Sequence, residues 1–180
     1  MFAFVFGGAA SGKSEYAEAL AVSLAGQTLP RFYLATMQPI DQESYLRIAR
    51  HRTMRQRKSF QTLECPYGLE RLCLPKRGVV LLECLSTLTA NEQFSPQGAG
   101  ETVVPAILEG ISSLLRQSEH LIVVSNSIFS DGISYDPSTQ HYLQNLGFLH
   151  QRFASLANHV AEVVAGIPLV IKDSEKERPL

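Results

Sequence analysis

The sequence predicts an α/β domain with a mainly parallel β-sheet. Short, fully apolar runs of strand-forming residues recur along the chain, as is typical of strands that are covered on both faces. Segments with helical spacing separate these runs, and such alternation indicates βαβ units. The 180 residues are enough for one domain, and 45% hydrophobic and 18% charged residues are ordinary globular values. We therefore expect one domain over residues 1–172.

The first half of the chain begins with an apolar strand at residues 2–6 (FAFVF), followed by a glycine-rich loop. Residues 14–24 are rich in Ala and Leu and predict a helix, which Gly26 and Pro30 should end. The further predicted elements of this half are a strand at 31–36, a basic helical stretch at 44–57 and an apolar strand at 78–83 that ends in an acid.

The second half alternates in the same way. The pattern predicts a loop at 92–101, a helix at 103–117, a strand at 120–126, turns at 127–139, a long helix at 140–161 and two last strands at 160–164 and 169–171. The charged residues 173–180 are expected to form a loose tail outside the domain.

Charge and composition exclude several classes of protein. The net charge of −1 gives no electrostatic reason to expect nucleic acid as a partner. No apolar run reaches the roughly 18 residues needed to span a membrane, and the N-terminus lacks the basic start of a signal peptide. Three cysteines without a C-x-x-C pair favour reduced thiols in the cytoplasm over disulfides or zinc ligands.

Residues 7–14 (GGAASGKS) fit the phosphate-binding pattern G-x-x-x-x-G-K-[ST] at every fixed position. Glycines allow the backbone N–H groups to face phosphate oxygens, and the following helix directs its N-terminus at the same anion. Lys13 would supply positive charge to the β- and γ-phosphates, and Ser14 a hydroxyl to Mg²⁺. A purely structural glycine turn is the alternative, but the position between a strand and a helix favours nucleotide binding.

Glu83 ends an apolar strand, and ligands of open α/β sheets bind beyond the carboxyl ends of strands. Its carboxylate could hold Mg²⁺ through water or accept a proton from a hydroxyl. The alternative is an exposed carboxylate at a strand end. The sequence leaves these possibilities open.

His51 lies in a basic segment, residues 47–58 (RIARHRTMRQRK), which has six Lys or Arg and no acid. Neighbouring positive charges would lower the pKa of its imidazole and keep the ring neutral, hence nucleophilic. Arginines such as Arg52 could also bind a triphosphate. A solvated basic helix explains the same pattern, and the remaining four histidines have no comparable surroundings.

Several motifs occur together and in order: GGAASGKS, YLAT, DQES before RIARHR, TLECP, LLECLSTLTAN, VVSN and AEVVAGIPLVIK. With them the chain resembles the bifunctional adenosylcobinamide kinase and adenosylcobinamide-phosphate guanylyltransferase family of cobalamin biosynthesis. The resemblance covers about residues 1–90 and 120–172. It implies a RecA-like P-loop fold and assembly as a trimer.

The resemblance implies two reactions with GTP and ATP as substrates and Mg²⁺ as cofactor. A nucleoside triphosphate phosphorylates the aminopropanol hydroxyl of adenosylcobinamide, and GMP is then transferred from GTP to that phosphate through a GMP-histidine intermediate. The family histidine corresponds to His51. The implied nucleotide contacts are Gly7, Gly8, Ala9, Ala10, Ser11, Gly12, Lys13, Ser14, Thr36, Met37, Gln38, Arg52, Glu64 and Glu83, of which Lys13 and Glu83 are also catalytic.

The chain departs from the family pattern after Asn126, where it reads SIFS and GISY and continues into a helix without arginine at 138–148. The resemblance implies that this region contacts the corrinoid or a neighbouring subunit, so the kinase half is expected to be weaker than the guanylyltransferase half. Two other hypotheses stay open: a different small-molecule P-loop kinase, and a nucleotide-binding relative without catalytic activity.

Overall fold

Seven strands form one sheet in the computed structural model, which describes residues 1–38, 58–129 and 132–174. The strands are β1 (Phe2–Gly7), β2 (Arg31–Ala35), β3 (Phe60–Glu64), β4 (Val79–Glu83), β5 (His120–Asn126), β6 (His159–Val164) and β7 (Ile167–Asp173). The helices are α1 (Lys13–Ala25), α2 (Leu85–Phe94), α3 (Val103–Gln117) and α4 (Pro137–Leu156), with short 3₁₀ turns at Leu69–Arg71 and Gly100–Thr102.

The strand order is β3-β2-β4-β5-β1-β6-β7, and every neighbouring pair is parallel except β6 and β7. The predicted α/β fold with a mainly parallel sheet is confirmed. Because the six parallel strands, β1 to β6, point the same way, their C-terminal ends all lie along one side of the sheet, here called the carboxyl edge. This edge gathers residues that are distant in sequence.

Helix α1 covers one face of the sheet. Ala17, Ala21 and Ala25 recur every four residues, so small side chains share one side of the helix and let it approach the strands closely. They pack against strand residues such as Val5 and Leu81. The start of α1 is thereby fixed above the ends of β1 and β4.

The other face carries α2, α3 and α4. Their buried apolar residues pack against a row of large strand side chains, and the members of this cluster include Phe4, Phe32, Leu82, Leu85, Ile107, Val123, Leu149 and Phe153. The strands at the centre of the sheet are therefore buried on both faces, which explains their uniformly apolar sequences. None of the described helices is both long and apolar enough to cross a membrane.

Some predicted boundaries were wrong. The predicted loop at 92–101 overlaps the last turn of α2 and the 3₁₀ turn at Gly100–Thr102, and α2 and β3 were not predicted at all. The predicted long helix at 140–161 begins earlier, at Pro137, and ends at Leu156 because β6 starts at His159. Asp136 caps α4 by accepting hydrogen bonds from the N–H groups of Ser138 and Thr139, a capping signal overlooked in the sequence.

The C-terminal boundary also differs slightly. Strand β7 runs through Asp173, the first residue of the predicted tail, and residues 175–180 lie outside the described residues. The predicted basic helix at 44–57 falls within residues 39–57, which the structure likewise does not describe.

Candidate nucleotide-binding site

The loop at residues 7–14 connects the end of β1 to the start of α1, at the carboxyl edge of the sheet. Ala10 and Gly12 have positive φ angles of 54° and 91°, so the backbone turns sharply twice within three residues. Gly12 precedes the helix and has no side chain with which to cap it, which leaves N–H groups of the first turn available to an anion. The loop thus has the sharp turns and the uncapped helix start that the sequence predicts.

Lys13 folds back over this loop. Its side chain is buried, and Nζ donates a hydrogen bond to the carbonyl oxygen of Gly8 at 3.0 Å. An ammonium group has three N–H donors, so Lys13 can keep this contact and still bind phosphate oxygens. The loop thus holds its one lysine close to the place where a triphosphate would lie.

The hairpin of β6 and β7 supports the loop from behind. The N–H of Gly166 donates to the carbonyl oxygen of Ser11 at 2.8 Å. A Cβ on Gly7 would lie 2.5 Å from the carbonyl oxygen of Val163, and a Cβ on Gly12 only 3.1 Å from Cα of Gly166. Glycine is required at positions 7 and 12 because neighbouring backbone occupies the space of a side chain.

Glu83 faces the loop from the end of β4. Its Oε1 accepts a hydrogen bond from the hydroxyl of Ser14 at 2.5 Å, and its Oε2 accepts one from the hydroxyl of Tyr33 at 2.9 Å. This short contact joins Ser14, which the sequence assigned to Mg²⁺, to Glu83, whose role the sequence left open between metal binding and proton acceptance. Glu83 is therefore hydrogen-bonded to two side chains rather than isolated at a strand end, and one of the two belongs to the loop.

Thr36 fixes the backbone that carries Glu83. Its side chain is buried, and its hydroxyl lies 3.1 Å from the carbonyl oxygens of both Glu83 and Cys84. The same oxygen accepts from the N–H of Cys84 at 2.8 Å. The backbone carbonyl oxygen of Thr36 accepts a hydrogen bond from the side-chain amide of Asn91 in α2 at 2.7 Å. In this structure Thr36 organises the site, and its hydroxyl points to the backbone.

The other predicted contacts are dispersed. Met37 and Gln38 follow β2 at the carboxyl edge and are half-buried. Glu64 is exposed at the end of β3, in register with Ala35, which pairs in turn with Glu83. Two strand spacings of about 4.8 Å thus separate Glu64 from Glu83 across the sheet. His51 and Arg52 lie outside the described residues.

A second polar cluster lies beside Glu83, where α2 begins. Asn126 donates to the hydroxyl of Ser86 at 2.9 Å, and the hydroxyl of Tyr142 donates to the carbonyl oxygen of Ser86 at 3.1 Å. Burial, with a smaller contribution from Cys84, raises the pKa of Tyr142 to about 12, which keeps its hydroxyl protonated. Asn126 of this cluster belongs to the VVSN motif and was noted in the sequence. No local sequence pattern indicated that Tyr142 would join it.

The described residues include few candidate ligands for a metal ion near the loop. No group of three or more His, Cys, Asp or Glu within residues 1–38, 58–129 and 132–174 is arranged to hold a metal ion. The Ser14 hydroxyl and the Glu83 carboxylate are hard oxygen donors beside a phosphate-binding loop. This donor set fits Mg²⁺, which proteins commonly bind with one or two carboxylates and the phosphates of a nucleotide.

Taken together, the parallel sheet, the glycine loop before α1 and the acid at the end of β4 define a P-loop nucleotide-binding protein. A solved ATPase domain has a similar fold, with a TM-score of 0.51, 11% sequence identity, and coverage of 89% of this chain and 68% of that one. This likeness supports the fold alone.

The chain belongs to the cobinamide kinase / cobinamide phosphate guanyltransferase family, whose model matches residues 3–171. It is 32% identical to the bifunctional adenosylcobalamin biosynthesis protein CobU of Escherichia coli K12, over 96% of this chain and the whole of that protein. It is 33% identical to the bifunctional adenosylcobalamin biosynthesis protein CobP of Pseudomonas aeruginosa, over 93% and 95% of the two chains. The family assignment from sequence motifs is confirmed, and with it the assignment of the chain as a kinase and guanylyltransferase.

Proposed function

We propose that the loop at residues 7–14 binds the triphosphate for both reactions of the family, and that Lys13 and Glu83 are the catalytic residues of the kinase step. The observation that carries this proposal is the 2.5 Å contact between Ser14 and Glu83, directly beside the loop. Three separate elements, β1, α1 and β4, converge there. A structural glycine turn would not require a carboxylate at that position.

In the kinase step the aminopropanol hydroxyl of adenosylcobinamide attacks the γ-phosphorus of the nucleotide. A new O–P bond forms, the bond to the bridging β-oxygen breaks, and the nucleoside diphosphate leaves. Lys13 and the N–H groups at the start of α1 stabilise the charge on the phosphates. The proton of the attacking hydroxyl passes to a carboxylate, and Glu83 is the acid that the structure places beside the loop.

Mg²⁺ fits this site, and Ser14 and Glu83 would hold it together with the β- and γ-phosphates. When bound, the cation neutralises charge on the triphosphate. The Ser14 hydroxyl, which donates to Glu83 in the structure, would then direct its oxygen lone pairs to the cation. Glu83 thus has two candidate roles, metal binding through water and proton acceptance.

For GMP transfer we propose that His51 attacks the α-phosphorus of GTP and expels pyrophosphate. An oxygen of cobinamide phosphate then attacks the same phosphorus, the N–P bond breaks, and the imidazole leaves and is protonated. The described chain leaves the carboxyl edge at Gln38, thirteen residues before His51. Such a segment can span at most about 45 Å, and the seven residues from His51 to Lys58 at most about 25 Å, so the shorter connection sets the reach of His51.

Lys58 is the other nucleophile that the sequence offers nearby. Its Nζ forms an ion pair with Glu18 of α1 at 2.5 Å, and its carbonyl oxygen accepts a hydrogen bond from Arg31 at 2.9 Å. Arg31 starts β2, at the edge of the sheet opposite the loop. These contacts engage Lys58 away from the triphosphate and favour His51.

We further propose a homotrimer. Strand β7 lies at the edge of the sheet, and Ile167, Leu169, Val170 and Ile171 each expose about half or more of their surface. An exposed apolar edge strand is a common site of association with another chain. The same hairpin contacts the phosphate-binding loop through Gly166, which supports a nucleotide site close to a subunit boundary. Light scattering at micromolar concentration tests this, and a fully active monomer would contradict it.

The test of the mechanism is incubation with α-labelled GTP. We expect acid-labile label on the wild-type protein and none on the His51→Ala variant, which should also lose GMP transfer while phosphorylation of cobinamide is at least partly retained. Label on the variant would show that another residue is the nucleophile.

His120→Ala is the matched control, because His120 starts β5 at the edge opposite the loop. We expect it to accumulate label as the wild type does. Separate assays with cobinamide and cobinamide phosphate test whether the altered region after Asn126 weakens the kinase half. Family-typical rates in both assays would contradict that expectation.

A further inference from the structure

Tyr33 lies under α1, on the face of the sheet that this helix covers. It is the third residue of β2, paired with Leu81 of β4, and only 3% of its surface is exposed. Its ring packs at right angles against Phe60 of β3, with centroids 6.2 Å apart. The ring thus belongs to the apolar core, while its hydroxyl reaches the end of β4.

The hydroxyl meets a carboxylate that also contacts the phosphate-binding loop. Tyr33 donates to Oε2 of Glu83 at 2.9 Å, and Ser14 donates to Oε1 of the same carboxylate at 2.5 Å. Ala35 lies two residues after Tyr33 in β2, so both residues face the same side of the sheet. Because Ala35 pairs with Glu83 of β4, the side chain of Glu83 lies on that side too, within reach of the Tyr33 hydroxyl. The two oxygens of Glu83 therefore have separate partners, one from the core and one from the loop.

We propose that Tyr33 is a positioning residue for Glu83. By holding Oε2 it keeps Oε1 directed toward Ser14, where the cation of a metal–nucleotide complex would bind. This inference rests on the proposed role of Ser14 and Glu83 in binding Mg²⁺. It adds a residue that contacts neither nucleotide nor cation and acts through the carboxylate.

The residue type fits the role. A carboxylate at a strand end can rotate about its side-chain bonds, and a rotated carboxylate would no longer direct an oxygen toward Ser14. A tyrosine joins a large apolar ring, which packing fixes in the core, to a hydroxyl that requires a partner when buried. Hydrogen-bond donors behind a metal-binding group orient it, and their loss typically weakens metal binding or activity by about 10- to 100-fold.

The test is Tyr33→Phe, which removes the hydroxyl and keeps the ring. A fluorescent GTP analogue is titrated against the whole protein, once with Mg²⁺ and once with EDTA, and the ratio of the two affinities measures the contribution of the cation. We expect unchanged affinity in EDTA and a loss of about 10-fold in that ratio. An unchanged ratio in Tyr33→Phe would overturn the inference.

Tyr16→Phe is the matched control. Its hydroxyl is hydrogen-bonded to Nε2 of His159 at 2.8 Å, so the variant also loses a tyrosine hydrogen bond, but one that does not involve Glu83. We expect it to keep the wild-type ratio. An equal loss in both variants would show a general packing effect and contradict a role for Tyr33 in positioning Glu83.

A double-mutant cycle separates action through Glu83 from a change in folding. In a Glu83→Gln background, Tyr33→Phe should change the ratio no further, since the group that it positions is already lost. Equal effects in both backgrounds would overturn the inference. The wild type reports separately on the proposed function: if Mg²⁺ does not strengthen its GTP binding, the metal role of Ser14 and Glu83 fails, whatever the variants show.

Discussion

Glu83 and Glu92 are two acids nine residues apart, one before and one within helix α2, and they accept hydrogen bonds from different kinds of donor. Glu83, at the end of β4, accepts hydrogen bonds from two side-chain hydroxyls, those of Ser14 and Tyr33. Glu92, in the last turns of α2, is 2% exposed and accepts from two backbone N–H groups, those of Gly68 and Ala99, at 2.6 and 3.0 Å.

The difference lies in how freely each kind of hydrogen-bond donor can exchange its partner. The N–H groups of Gly68 and Ala99 are fixed in the backbone and donate to Glu92, so this carboxylate ties two loops to α2. A hydroxyl can rotate and exchange its partner for a ligand, so the Ser14 contact with Glu83 can open when a nucleotide arrives. In the sequence Glu83 ends an apolar strand and Glu92 starts a predicted loop, and the structure adds the type of donor that each carboxylate accepts from.

The largest expected effect is that of Lys13→Ala. Lys13 is the positive charge of the phosphate-binding loop, and both reactions need the triphosphate held and its charge neutralised. We expect this variant to abolish both cobinamide phosphorylation and GMP transfer. Rates of the two assays, together with GTP affinity, check this, and normal turnover would rule out the assigned loop.

Glu83→Gln should mainly affect chemistry. It keeps the size of the side chain and removes the charge beside Ser14, so we expect the kinase rate to fall by about 100-fold. The folded protein should remain, since the variant retains an acceptor oxygen for Tyr33 or Ser14. Steady-state phosphorylation of cobinamide measures the effect, and a kinase rate within twofold of the wild type would remove Glu83 from the mechanism.

Glu92→Gln is the counterpart and should mainly affect stability. The carboxamide has one acceptor oxygen where the carboxylate has two, so either the buried N–H of Gly68 or the half-buried N–H of Ala99 loses its partner. We expect the free energy of unfolding to fall by about 1–3 kcal/mol, with both activities nearly unchanged below the unfolding transition. Denaturant titration checks the first part. A kinase loss as large as that of Glu83→Gln would erase the distinction between the two acids.

His150 provides a smaller, pH-dependent test of a structural polar contact. Its Nε2 lies 2.7 Å from the hydroxyl of Ser125, and burial lowers the pKa of His150 to about 4. In the unfolded chain a histidine titrates near about 6.5, so between these values the unfolded state binds a proton that the folded state does not. The free energy of unfolding should therefore rise with pH across this window, by at most about 1.4 kcal/mol per pH unit.

Denaturant titrations of wild type and His150→Gln between pH 4.5 and 7 isolate this contribution. The variant cannot take up the proton on unfolding, so its stability should rise less steeply with pH. Parallel pH dependences of the two proteins would show that burial does not keep His150 neutral.

Elements whose signal is local were predicted well from the sequence. The strand at 120–126 and the helix at 103–117 agree with β5 and α3, and α1 differs from its prediction by one residue at each end. The loop at 7–14 depends on glycines and a lysine at fixed spacing, a pattern that is complete within eight residues. Nothing distant is needed to recognise it.

Elements that depend on packing were missed. Helix α2 contains Ser, Thr and Asn, which favour helices only weakly, and the sequence that follows it is typical of a loop. Its burial of Leu85 and Leu88 against the sheet stabilises it instead. Strand β3 lies at the edge beside β2 and is only partly buried, so its sequence lacks the fully apolar run of a central strand.

The sequence alone determined that this chain has a phosphate-binding loop, a mainly parallel sheet and the motifs of its family, because each of these is written in residues close together along the chain. Only the tertiary structure decided that Ser14, Tyr33 and Glu83 meet. They come from α1, β2 and β4, and their contact depends on the parallel register of two strands and on the helix packed above them. A hydrogen bond across 50 or 69 residues has no local pattern, since it forms only after the sheet has aligned its strands.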